Sequence, residues 1–137
     1  MKTKEQDGKK YVLDEWRKRW VRLTPEELVR QHTLQRLEAD YGFPHGLIAV
    51  EHTVELNGMR KRCDAVVYGA DAMPLMIIEF KAPEVQLSQK VFDQVAVYNT
   101  KLKVPYLMVA NGKQIVVCKV ESGGYVFARE IPQYNEL

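Results

Sequence analysis

Asp64, Glu79 and Lys81 are the residues whose types and spacing point most directly to chemistry. Glu79 and Lys81 stand two apart at the charged end of the apolar run Leu75-Met76-Ile77-Ile78, between Pro74 and Pro83. Such a run reads as a buried strand, and because side chains alternate across a strand, the carboxylate and the ammonium project from one face. Asp64 lies in its own apolar segment, Cys63 to Tyr68, joined to the first by the turn-like Gly69-Ala70-Asp71-Ala72-Met73-Pro74. If the two segments pair as a hairpin, Asp64 lands beside Glu79. Two adjacent carboxylates make a hard oxygen site suited to Mg²⁺ or Mn²⁺. A neighbouring lysine can orient or help deprotonate a water, or stabilise negative charge as it develops. Phosphodiester hydrolysis needs those parts. For the Glu-x-Lys fragment alone, a solvated strand end with a weak ion pair is the competing reading.

The chain that must position these groups has 137 residues, enough for a single domain with a proper core. Lys plus Arg number 20 against 18 for Asp plus Glu, so any affinity for nucleic acid has to come from local clustering. Cys63 and Cys118 both fall in apolar, strand-like runs without metal-ligand spacing or a disulfide framework, which fits a reducing cytoplasm. No apolar run approaches the roughly 18–20 residues of a membrane span, and the N-terminus lacks a signal-peptide core. A soluble, cytoplasmic protein is expected.

From Met1 to about Lys10 the chain is polar and lysine-rich, and is expected to be frayed. Tyr11 to Arg22 mixes Trp16 and Trp20 with Arg17, Lys18, Arg19 and Arg22. Two readings are open for it: a phosphate-gripping stretch, or tryptophans covering the core beneath a solvated cationic face. Thr24-Pro25-Glu26-Glu27 starts a helix, with Thr24 as cap and Pro25 at the first position. The helix runs to about Asp40, with Leu28, Leu34, Leu37 and Tyr41 as its buried stripe, and ends at Gly42 and Pro44. Leu47 to Leu56 reads as a strand and Asn57-Gly58 as a tight hairpin turn, which makes the segment carrying Asp64 the next strand. Arg60, Lys61 and Arg62 form a basic run at its start, either a solvated hairpin arm or contacts for a polyanion such as DNA. A second helix is expected from Val85 to about Lys101, with Gln94 and Tyr98 one turn apart. Strands follow at Pro105 to Ala110, Gln114 to Val120 and Tyr125 to Arg129. The order is helix, three strands, helix, strand, with strands appended: an α/β layer with a mixed sheet flanked by helices.

That order, together with the residues, resembles the core of the PD-(D/E)xK (restriction-endonuclease-like) nucleases. Asp64 matches their Asp on the second strand of the meander, and Glu79-Phe80-Lys81 matches the (D/E)xK on the third. Gln94-Val95-Ala96-Val97-Tyr98 fits the Gln-x-x-x-Tyr motif of the RecB-like branch. The run from Thr24-Pro25-Glu26-Glu27 through Gly46 to Glu51, Asp64, Glu79 to Pro83 and Pro105-Tyr106-Leu107 is similar to the N-terminal nuclease domain of type I restriction R subunits. The resemblance spans roughly Tyr11 to Arg129. Cys63 replaces the proline common before this Asp, and no Gly-x-x-x-x-Gly-Lys-Ser/Thr loop occurs, so the ATP-driven motor of an R subunit is not in this stretch, which reads as either a cut-out domain or a stand-alone relative.

The resemblance implies a Mg²⁺- or Mn²⁺-dependent DNA endonuclease domain. Asp64, Glu79 and the carbonyl of Phe80 would ligate the metal, Lys81 would position the attacking water, and Glu27 would be an additional outer carboxylate. Gln94 and Tyr98 would face the site and orient nucleic acid or Lys81. Motor and specificity subunits of a restriction system are the implied partners. The alternatives are a silent nucleic-acid-binding or scaffold module of the same fold and a hydrolase of another phosphate ester. His32, His45 and His52 have no ligand spacing and are read as structural.

Overall fold

The computed structural model describes residues 1–122 and 124–137, and the side chains of all of these except Val54, Leu56, Tyr98, Thr100 and Lys101. The chain opens with three short strands, β1 (Thr3–Gln6), β2 (Lys9–Asp14) and β3 (Arg19–Arg22), which form an antiparallel sheet of their own. Then come α1 (Pro25–Tyr41), β4 (Ile48–Leu56), β5 (Met59–Tyr68), β6 (Pro74–Phe80), α2 (Gln89–Leu102), β7 (Tyr106–Ala110), β8 (Ile115–Glu121) and β9 (Gly124–Ala128). The last six strands make one sheet in the order β4-β5-β6-β7-β8-β9, parallel between β6 and β7 and antiparallel elsewhere. A mixed α/β fold with a six-stranded sheet flanked by two helices is therefore present.

Two layers of core lie on the two faces of this sheet. On the α1 side Leu34 and Leu37 pack with Met76, Ile78, Phe80, Met108 and Ala110. On the α2 side Val91 and Val95 pack with Ile77, Leu107 and Val109. The alternation of Met76, Ile78 and Phe80 with Ile77 is the strand period expected when both faces are buried.

Local chemistry explains the boundaries. Thr24 caps α1 by accepting the Glu27 N–H at 3.1 Å, with Pro25 in the first turn. The second helix begins at Gln89 rather than Val85. Its expected first turn is spent on loop contacts: the Val85 carbonyl accepts Asn111 Nδ2 at 2.9 Å, and Ser88 remains extended. Thr3–Gln6, expected to be frayed, is a strand in register with β2. Asp7 and Gly8 link the two with φ of 52° and 75°, the conformation of a tight two-residue hairpin turn, which Gly adopts without steric cost.

Candidate active site at the end of β5 and β6

The ladder between β5 and β6 ends at the pair Ala65–Ile78. One step further, the register sets Asp64 opposite Glu79. There the backbone pairing gives way to side-chain bonding, and Asp64 Oδ2 accepts the Phe80 N–H at 2.8 Å. On its other side β5 runs against β4, where Glu51 stands opposite Asp64 and adopts a left-handed φ of 56°, uncommon for a residue with a side chain. The strand alternation also breaks at Asp64. Cys63 packs into the α2-side core and Ala65 into the α1-side core, although residues two apart in a regular strand share a face. At this kink the Asp64 carboxylate meets the Phe80 N–H of the neighbouring strand.

Lys81 Nζ lies 3.4 Å from Glu79 Oε1. The second oxygen, Glu79 Oε2, is buried and has no hydrogen-bond partner. A buried carboxylate oxygen left unpaired is costly, because its hydration has been removed and nothing replaces it. Burial, and then the Asp64 charge, push the Glu79 carboxyl up to about 7, against the opposing pull of Lys81. Asp64 is also raised, chiefly by burial, despite the Phe80 N–H and the nearby Arg30 and Lys81 cations. The adjoining Cys63 thiol is driven up to about 12 by burial and by both carboxylates, which leaves it protonated and unreactive.

Around this pair lies a second set of charges, which the sequence did not reveal. Arg17, in the turn between β2 and β3, bonds Asp14, Glu27 Oε1 (2.6 Å) and Glu51 Oε1 (2.5 Å). Arg30, buried on α1, reaches Glu27 Oε1 at 3.1 Å, Glu51 Oε1 at 3.5 Å and Asp64 Oδ1 at 3.6 Å, with its guanidinium 5.8 Å from the centre of the Phe80 ring. Arg62 Nη1 meets Glu51 Oε2 at 3.3 Å. Asp14 is held below the usual carboxylate range: burial raises it, but bonds from Arg17 and the Trp16 N–H more than offset that. The one signal in the sequence is that Glu27, Arg30, Gln31 and Leu34 share one helical face, which puts polar groups on the side α1 buries.

The residues singled out from sequence divide clearly. Asp64, Glu79, Phe80 and Lys81 come together. Glu27 does not join them, because Arg17 and Arg30 take its Oε1 and Gln31 Nε2 donates to its Oε2 at 3.1 Å. Its neighbour Glu26 feels the pair instead: burial raises its carboxyl, with Asp64 the next contributor. Gln94 is exposed on α2 and makes no side-chain hydrogen bond among the described residues. The Tyr98 side chain lies outside the described residues. Arg60, Lys61 and Arg62 are exposed along the start of β5, with Arg62 turned to Glu51. His45 bonds Glu38 at 2.8 Å, and His52, opposite Cys63 in the β4–β5 ladder, meets the Tyr68 hydroxyl at 3.1 Å.

With this geometry in place, comparison with known families is decisive. Residues 25–132 match the family described as type I restriction enzyme R protein N terminus (HSDR_N). The chain belongs to that family. The match begins at the first residue of α1 and ends beyond β9, so it takes in the whole six-stranded sheet and both helices and leaves out the small N-terminal sheet. None of the curated proteins searched matches the chain. No helix among the described residues is long and apolar enough to cross a membrane.

Proposed function

We propose that this restriction R-protein domain hydrolyses phosphodiester bonds of DNA with a divalent ion, Mg²⁺ or Mn²⁺, held by Asp64 and Glu79, as in the PD-(D/E)xK nucleases it resembles. The observation that carries the reading is the buried, unpartnered Glu79 Oε2 opposite Asp64, in a pair whose carboxyls are both raised. A cation between the two carboxylates would relieve both costs at once. Among the described residues no three His, Cys, Asp or Glu side chains gather into a ligand set. An ion held here would therefore draw the rest of its shell from water and backbone oxygen such as the Phe80 carbonyl, which suits Mg²⁺, since it keeps several waters and uses one or two carboxylates.

When bound, the ion would polarise the scissile phosphate and acidify a water. The protein's own contribution is positional. The Phe80 N–H fixes one Asp64 oxygen, and Arg30 approaches the other. The Lys81 ammonium, beside Glu79, orients the attacking water and stabilises charge that appears on the phosphate oxygens. DNA is delivered by other domains or subunits of a restriction system, since among the described residues neither α1 nor α2 presents a cluster of base-contacting side chains.

A plasmid-nicking assay tests this. Cleavage is expected with Mg²⁺ or Mn²⁺, none with EDTA, and none for Lys81→Ala, which should still bind the ion. Equal nicking in EDTA, or an active Lys81→Ala, would overturn the assignment.

A further inference from the structure

The first 23 residues hold eight Lys and Arg against four Asp and Glu, whereas residues 24–137 hold twelve against fourteen. The positive charge of the chain is thus concentrated in the small sheet that precedes the family match. Its strands pair so that Lys4 stands opposite Tyr11, Tyr11 opposite Arg22, and Leu13 opposite Trp20. These side chains share one face. On the other face Val12 and Asp14 are fully buried against the body of the domain. The first face therefore points outward, and it carries Lys4, Lys9 and Arg22 but no carboxylate, since Glu5 and Asp14 of these strands fall on the other face.

Two of these cations, Lys4 and Arg22, lie over rings. Lys4 Nζ sits 4.5 Å from the centre of the Trp20 ring and 6.0 Å from that of Tyr11, and the Arg22 guanidinium sits 5.9 Å from Tyr11 on its other flank. A cation over an aromatic face is fixed in position without having its charge neutralised. Among the described residues neither Lys4, Lys9 nor Arg22 forms an ion pair. Contrast Arg17 in the same sheet, whose charge is consumed by three carboxylates. Ordered, unneutralised cations on a face free of carboxylates are complementary to a closely spaced row of negative charge.

We propose that the outer face of β1–β3 is a docking surface for the phosphate backbone of DNA, separate from the carboxylate pair. Arg17 ties the turn of this sheet to Glu51, the residue opposite Asp64, so a duplex held on the face is anchored to the same body as the candidate active site. The contact is to the phosphate backbone, which positions a duplex and carries no sequence information. The identity of the polymer as DNA rests on the nuclease reading; the existence of an anion-docking face does not.

Binding of a labelled 30-base-pair duplex to the full chain, with EDTA present so that no cleavage occurs, separates the two. The double variant Lys4→Ala/Arg22→Ala should weaken binding by roughly tenfold or more at 0.1 M salt. It should also lower the slope of log Kd against log salt by about 2, one unit for each phosphate contact removed. Lys4→Arg should retain wild-type binding, and unchanged melting of the double variant excludes misfolding. An unchanged Kd and slope in the double variant would overturn the proposal, as would equally tight binding of a poly-glutamate chain of matched charge, which would assign the face to acidic polypeptides. Absence of metal-dependent nicking in the separate cleavage assay would remove the nuclease reading and leave this result standing.

Discussion

Two groups of charge lie side by side in this domain, and they are built differently. In the first, Arg17, Arg30 and Arg62 face Asp14, Glu27 and Glu51, and both oxygens of Glu27 are taken. In the second, Asp64 and Glu79 have Lys81 and the far edge of Arg30, and Glu79 Oε2 has nothing. The first group ties the small sheet, α1 and β4 together; its charges cancel and its carboxylate Asp14 is lowered. The second holds excess negative charge and raised carboxyls at the end of two central strands. Carboxylates whose oxygens are all paired fit a structural network, even with Arg30 Nε left without a hydrogen-bond partner, whereas a half-buried carboxylate pair kept short of one cation supports the proposed metal site.

Cleavage gives the sharpest test of that contrast. Glu79→Gln should lower metal-dependent nicking by about a thousandfold, roughly 4 kcal/mol of transition-state stabilisation, because it removes a ligand charge and leaves the fold intact. Arg30→Met should act on stability instead. It removes one of the cations at Glu27 and Glu51 and the nearby guanidinium at Asp64 together, and breaking such a network costs about 3–5 kcal/mol, read from urea unfolding. Glu79→Gln without metal should unfold no more easily than wild type. If the two variants lost similar stability, the distinction between the groups would fail.

A smaller effect comes from pH. The Glu79 carboxyl lies near 7 when folded and near its ordinary, lower value when unfolded, so between those limits the folded state binds the extra proton. The contribution of Glu79 to stability in EDTA is therefore fully present below the ordinary carboxyl range and declines as pH rises towards and through about 7, whereas the lowered Asp14 acts in the opposite direction at acid pH. Asp64, also raised, acts in the same direction as Glu79. Thermal melting from pH 5 to pH 8 should show this decline in wild type and a flatter curve in Glu79→Gln, whose position 79 cannot ionise.

The sequence made one half of this contrast legible and not the other. Asp64, Glu79 and Lys81 could be brought together on paper because strand alternation and a single hairpin suffice to relate them. Arg17 and Arg30 could not, since their partners lie on four elements and meet only after the small sheet folds back on α1 and β4. Glu27 and Glu26 differ by one position, yet a helix turns about 100° per residue. That turn sends the first into the arginine network and leaves the second near Asp64. β1 escaped notice because all four of its side chains are exposed, so no apolar alternation announces it; only the Asp7-Gly8 turn did.

Calorimetric titration of Mn²⁺ into the protein tests the central claim most directly, since it asks whether the unpartnered oxygen of Glu79 awaits a cation. We expect one ion to bind per chain, with a rise in melting temperature worth about 2.7 kcal/mol at a hundredfold excess over Kd, and both effects lost in Asp64→Asn and in Glu79→Gln. Binding that survives both substitutions unchanged would place the ion elsewhere and contradict the account.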